Sequence, residues 1–147
     1  MSEAAQAALP WLGLFSGGVF EDNLLDVSQI PPAEWEPVRA ELEATALIRV
    51  ERDVMLAKRP YLRFHPTLAY AASSRSSRRE EAQTSETGID PSLLTSAATI
   101  GPRFISVYRS VMRTLDKALH GSHPRWGMEV LAREEANYRT AVRWAVI

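Results

Sequence analysis

The residues with the clearest chemical potential lie in Tyr61-Leu-Arg-Phe-His65-Pro66-Thr67-Leu68-Ala-Tyr70-Ala71. Strand alternation sets Leu62 and Phe64 on one face and Arg63 and His65 on the other. Pro66 suits the first position of a helix, where its missing N–H would have had no partner anyway. His65 is therefore expected at a strand-to-helix corner, where a helix N-terminus favours anionic partners; the competing reading is a strand-end histidine hydrogen-bonded locally. Other reactive groups form no comparable constellation. His120 and His123 flank a helix end and read as exposed capping groups. The pairs Glu80/Glu81 and Glu134/Glu135 resemble catalytic carboxylates in composition, but read as surface charge on a linker and a helix. The chain has no cysteine, and three histidines without spaced acids do not make a metal site. Neither a Ser-His-Asp nor a Cys-His arrangement can be assembled.

The elements that would position His65 follow from periodicity. Ala4–Phe15 is helix-prone, with an interruption at Pro10, and ends at Ser16-Gly17-Gly18. Phe20, Leu24 and Val27 recur at helical spacing, which predicts a short helix over 21–29, stopped by Ile30-Pro31-Pro32. Trp35, Val38 and Leu42 give a third helical face through Thr45. The period then changes to alternation over 47–51 and again over 61–65, a β-hairpin widened by Val54–Leu56. Three short helices followed by a hairpin is the order of a winged helix. A short helix is expected over 66–72. The Ser-, Arg- and Glu-rich run from Ser73 to Pro91 has no apolar periodicity and reads as a mobile linker or a frayed helix extension. Phe104, Val107, Tyr108, Val111, Met112, Leu115 and Leu119 then describe an amphipathic helix closed by Gly121. A second helix follows Pro124, carrying Val130/Leu131, Tyr138 and Val142. It reaches Ile147 in mid-pattern, as the start of a longer helical region cut from a larger polypeptide would.

The expected fold is thus mainly α with a small β-hairpin: a winged-helix unit over 1–72, a polar linker over 73–100, and a helical hairpin over 101–147 leading into TPR-like repeats. At 147 residues the chain can bury about 70% of its unfolded surface. No apolar run approaches the ~20 residues that span a bilayer, and Met1–Leu9 lacks the basic start of a secretory signal. Together with the absence of cysteine this fits a cytoplasmic protein. Charge is unevenly spread: residues 1–50 hold eight acids against two arginines, and residues 51–147 hold fifteen Lys/Arg against ten acids.

Two stretches resemble one family. Leu14-Phe-Ser-Gly-Gly-Val-Phe20, Glu41–Glu51 and Leu62–Ala71 resemble the winged-helix subdomain of STAND/NB-ARC-type signal-transducing ATPases. Leu131-Ala-Arg-Glu-Glu-Ala-Asn137-Tyr-Arg-Thr-Ala-Val-Arg-Trp144-Ala145 is similar to the family's Leu-x-x-Glu-x-x-Asn-Leu-Arg-x-Ala-Leu-x-Trp-Ala helix, which leads into TPR repeats. The resemblance implies that His65 reaches the β-phosphate of ADP and locks a closed state, with Pro66 in place of the plant aspartate. It also implies an upstream nucleotide-binding domain, ADP or ATP with Mg²⁺ held there, and TPR-like repeats as partners. Nothing in this chain matches Gly-x-x-x-x-Gly-Lys-Ser/Thr, so the phosphate cradle and the catalytic acid are missing and the chain itself is expected to be no enzyme and to hold no cofactor. Asn137 and Trp144, seven residues apart on one helix stripe, are expected to pack or to contact a partner. Two other readings compete. One is a protein–protein adaptor, independent of nucleotide, that offers a groove on residues 104–147. The other is DNA binding, disfavoured because the third helix carries Glu34, Glu36, Glu41 and Glu43 against Arg39 alone and would repel a duplex.

Overall fold

The computed structural model describes residues 1–52, 59–68 and 91–146, with the backbone alone for 91–98. Helix α1 (Glu3–Leu12) opens on Ser2, whose Oγ accepts the Ala5 N–H at 3.2 Å, and buries Ala5, Ala8 and Leu12 along one stripe. Pro10 does not interrupt it. In the last turn its missing N–H costs a single bond, and Leu12 still reaches the core. After Gly17, at φ 78°, the chain enters β1 (Gly18–Phe20), a strand the sequence pattern does not announce. Helix α2 (Glu21–Ser28) buries Leu24 and Val27 and ends on Gln29 in the left-handed conformation. Helix α3 (Pro32–Ala44) starts on a proline and buries Trp35, Val38 and Leu42. Strands β2 (Ile48–Glu51) and β3 (Tyr61–Phe64) form the expected hairpin arms, and residues 66–68 make a helical turn. The expected widening at Val54–Leu56 and the helix beyond Leu68 lie outside the described residues.

The sheet is antiparallel throughout in the order β1-β3-β2, so the hairpin is in fact a three-stranded sheet. With this strand order and the run α1-β1-α2-α3-β2-β3, residues 1–68 have the arrangement of a winged helix. Register assigns the two faces. Val19, Leu62 and Val50 share one row and Phe64 and Ile48 the next, all turned to the helices. Gly18, Arg63 and Arg49 share a row on the opposite face, with Phe20, Tyr61 and Glu51 beside them.

Helices α4 (Pro91–Leu119) and α5 (Pro124–Val146) form the helical hairpin. Helix α4 begins at Pro91, ten residues before the expected start of the hairpin at 101, and passes through Pro102 without ending. The hairpin has no core of its own. Phe15 lies 5.4 Å from Phe104 and 6.5 Å from Tyr108 between ring centroids, and one buried cluster runs from Ala5 to Ala141. Of the α4 stripe, Phe104, Tyr108 and Leu115 are buried, whereas Met112 is 48% exposed. Val142 on α5 is likewise on the outside. No described helix is long and apolar enough to cross a membrane.

Candidate functional site

His65 follows directly on the central strand. Its backbone N–H donates to Leu47 O at 2.9 Å, which pins it to the end of β2, and its side chain is exposed. The ring is oriented by the next turn: Thr67 N–H donates to Nδ1 at 3.3 Å, and the Thr67 hydroxyl lies 2.8 Å from the same nitrogen. A backbone N–H can only donate, so Nδ1 is the acceptor and Nε2 is the ring nitrogen left to donate. His65 thus presents one N–H donor outward from a fixed ring. Pro66 contributes as the sequence suggests, by starting the turn that brings Thr67 back onto the ring.

Arg63 and Arg49, opposite one another on β3 and β2, are exposed, as is His65 just past the end of β3, which alternation sets to the same side. Arg63 Nε and Nη2 donate to the Glu51 carboxylate at 2.7 and 3.4 Å. This ion pair holds the Glu51 pKa below its ordinary value, with Arg133 and Arg49 acting in the same direction. Among the described residues Arg49 forms no ion pair.

The second cluster is buried, and sequence reasoning assigned it to the surface. Glu135 is exposed, as expected, and pairs with Arg139, but Glu134 is fully buried. The difference is phase: Glu134 lies on the α5 stripe of Val130, Asn137, Tyr138 and Ala141, and Glu135 one step off it. Glu134 Oε1 accepts the Phe20 N–H at 2.8 Å and faces the Asn23 amide at 3.5 Å. Its Oε2 accepts from the Tyr108 hydroxyl at 2.7 Å and from Asn137 Nδ2 at 2.8 Å. Burial pushes the Glu134 carboxyl above its ordinary pKa, against the pull of these hydrogen bonds. The same burial and the Glu134 charge push Tyr61 up to about 12 and raise Tyr108 and Tyr138 as well.

Asn137 is also fully buried, and its contacts are within the chain. Its Oδ1 accepts the Ser16 N–H at 2.7 Å, and its Nδ2 donates to Gly18 O at 2.9 Å. The free edge of β1 exposes Ser16 N–H, Gly18 O and Phe20 N–H, while Gly17 O and Glu21 N–H turn to β3 and its approach. Glu134 and Asn137, one helical turn apart, therefore satisfy this edge much as another strand would. Tyr61 adds a tie from the face, its hydroxyl donating to Arg133 O at 3.1 Å. Gly18 is required here, since a Cβ would come within 2.6 Å of Leu62 O. Trp144 packs on Phe104, with ring centroids 4.9 Å apart, and closes α5 against α4. The structure thus brings Asn137 and Trp144 into the shared core and leaves His65 outside it.

The buried carboxylate was detectable in two ways. The apolar period of α5 carries an acid at Glu134, and the Leu-x-x-Glu-x-x-Asn spacing corresponds to Leu131, Glu134 and Asn137. His120 and His123 are exposed, with Nδ1 against Asp116 O and Ser122 Oγ respectively. Glu80 and Glu81 lie outside the described residues. A cleft of about 200 Å³ between α4, Arg59 and Trp126 contains no carboxylate and no histidine, and so offers no acid–base pair. Among the described residues no three His, Asp or Glu side chains converge as metal ligands would. Comparison with protein-family models gives no match, and no curated protein or solved structure is found to be similar to the chain.

Proposed function

We infer that this chain is a non-catalytic regulatory part of a cytoplasmic STAND/NB-ARC-type ATPase, in which the winged helix reports bound ADP and passes that state to a TPR-like helical arm. The observation that carries this reading is His65: an exposed imidazole whose Nδ1 is occupied by Thr67 and whose Nε2 has no partner among the described residues. A phosphate oxygen of ADP, held with Mg²⁺ by an upstream nucleotide-binding domain, is such an acceptor. Because α5 is tied to β1 through Glu134 and Asn137, a displaced winged helix would carry α4 and α5 with it. A nucleotide-dependent difference in binding energy is what would drive the shift.

In the protein that carries the nucleotide-binding domain, His65→Ala should speed ADP release. A hydrogen bond to a charged group contributes about 1.5–3 kcal/mol, which corresponds to roughly ten- to a hundred-fold in off-rate. An unchanged off-rate would refute the reading.

The exposed Met112, Met128 and Val142 favour a second reading, a docking module indifferent to nucleotide. On that reading His65→Ala leaves partner binding and ADP release alone. DNA binding gains no support: Glu34, Glu36 and Glu43 are exposed on α3, while Arg39 is taken up by Glu21. In the hairpin Arg59 is held by Asp22.

A further inference from the structure

We propose that the cationic part of the outer sheet face, with Arg49 and Arg63 beside His65, grips a diphosphate group, Arg49 supplying the free guanidinium. The proposal rests on the nucleotide-sensing reading for the source of its ligand and extends it from a lone histidine to a built surface. Arg49 stands directly opposite Arg63 in the antiparallel register, at the roughly 5 Å Cα separation of such pairs. Like charges placed so destabilise a sheet, and among the described residues Glu51 is the acid that pairs with them, through Arg63. That acid is engaged side-on by Arg63, which fixes the Arg63 fork, with its guanidinium 6.0 Å from the Tyr61 ring centroid. Arg49, without an ion pair among the described residues, keeps all its donors for a ligand.

The spacing selects the ligand class. His65 lies two residues beyond Arg63, one past the end of β3, which alternation sets to the same side about 7 Å away. Donors spread over that span suit two linked phosphoryl groups better than a single carboxylate, and guanidinium forks match phosphate oxygens in pairs. The row is closed on the β1 side, where Gly18 contributes no side chain and the Tyr61 hydroxyl lies 2.7 Å from where its Cβ would be. A diphosphate would therefore approach over β2 and β3, from the side where Arg49 is free.

The test uses the 147-residue chain, titrated with pyrophosphate and followed by NMR at the guanidinium Nε–H signals and the His65 ring. Saturable shifts are expected at Arg49, Arg63 and His65, with inorganic phosphate weaker than pyrophosphate and ADP reproducing the pyrophosphate pattern. Arg49→Gln should weaken pyrophosphate binding about tenfold or more, and Arg49→Lys, which keeps the charge but loses the fork, should fall between. Arg49 is exposed, so an otherwise unchanged spectrum verifies the fold. Absence of saturable shifts at these three residues, equal shifts at the exposed arginines of α4 and α5, or stronger and salt-sensitive shifts with a DNA duplex would each overturn the proposal. In the protein with its nucleotide-binding domain the two readings separate. Faster ADP release in His65→Ala but not in Arg49→Gln sinks this inference alone, whereas release unchanged in both sinks the sensor reading with it.

Discussion

Replacing Glu134 by alanine removes the acceptor on which four donors converge. Asn137 Nδ2 keeps Gly18 O, and Asn23 loses only a 3.5 Å contact. The Phe20 N–H and the Tyr108 hydroxyl, at 2.8 and 2.7 Å, are left without a partner in the core. Each stranded donor costs about 1–3 kcal/mol, and relief from burying a carboxylate offsets part of the sum. A net loss of about 3–4 kcal/mol follows, or a fall in Tm of roughly 10 °C for a chain of this size. Glu134→Gln is the sharper probe. The Phe20 N–H is a fixed donor at Oε1, and Asn137, oriented by Ser16 N–H, is a fixed donor at Oε2. Wherever the glutamine amide places its NH₂, it meets a donor, so about 2 kcal/mol is lost although the shape is kept. Urea denaturation at neutral pH, read by tryptophan fluorescence, gives both numbers. Amide exchange should accelerate at Phe20 more than at Ser16, which Asn137 still holds. An alanine variant that loses less than about 1 kcal/mol with Phe20 protection intact would refute the edge-capping account.

The same carboxyl predicts a pH dependence. Burial holds its folded pKa above the ordinary 4.5, so the part of stability linked to its protonation is complete below 4.5 and is lost as pH rises through the raised value. Glu134→Gln should abolish that slope in urea midpoints taken across the range. Glu51 has the opposite sign, since Arg63 lowers its pKa: the pair stabilises above 4.5 and stops doing so as pH falls through the folded value. Arg63→Gln, at a largely exposed pair, should cost under about 1 kcal/mol at neutral pH and nothing in strong acid. Gly18→Ala drives a Cβ to 2.6 Å from a backbone oxygen and should cost about 2–3 kcal/mol by thermal melt. Gly17→Ala meets no atom within 4 Å and suffers only from its φ of 78°, so it should cost about 1 kcal/mol. The reverse order would disprove the close approach at Gly18.

The parts of the fold legible in the sequence are those where one period runs long enough to be counted. Phe104, Tyr108 and Leu115 mark α4, and the alternation at 61–64 marks β3, because each element buries one side. Strand β1 escapes that logic. Three residues cannot display a period of two, all three are buried, and pairing with a strand more than forty residues away makes Gly18–Phe20 a strand. The helical hairpin is expected from residue 101, where the apolar period sets in, yet α4 begins at Pro91 and runs through Pro102, since packing outweighs the loss of one backbone bond. Glu134 was misread for a related reason. An acid is assigned to solvent on its own chemistry, and only a partner element that supplies donors makes burial tolerable. Here those donors come from β1, α2 and α4, none of which is visible in the sequence of α5.

That dependence runs in both directions. The free edge of β1 needs acceptors and a donor that α5 supplies, and the α5 carboxylate needs donors that β1 and α4 supply. Neither half can dock loosely, because partial separation strands polar groups on both sides at once, at about 1–3 kcal/mol for each. Opening this joint would break the Ser16, Gly18 and Phe20 contacts together, a cost several times what one exposed hydrogen bond at His65 could supply. A phosphate signal received at His65 is therefore too small to swing the helical hairpin against the winged helix. If the sensor reading holds, the signal must move both as one body, and the hinge must be sought between this body and the domain that holds the nucleotide. A cross-link locking α5 to β1 should then leave nucleotide-dependent signalling intact, and a signal lost on cross-linking would place the hinge inside the chain after all.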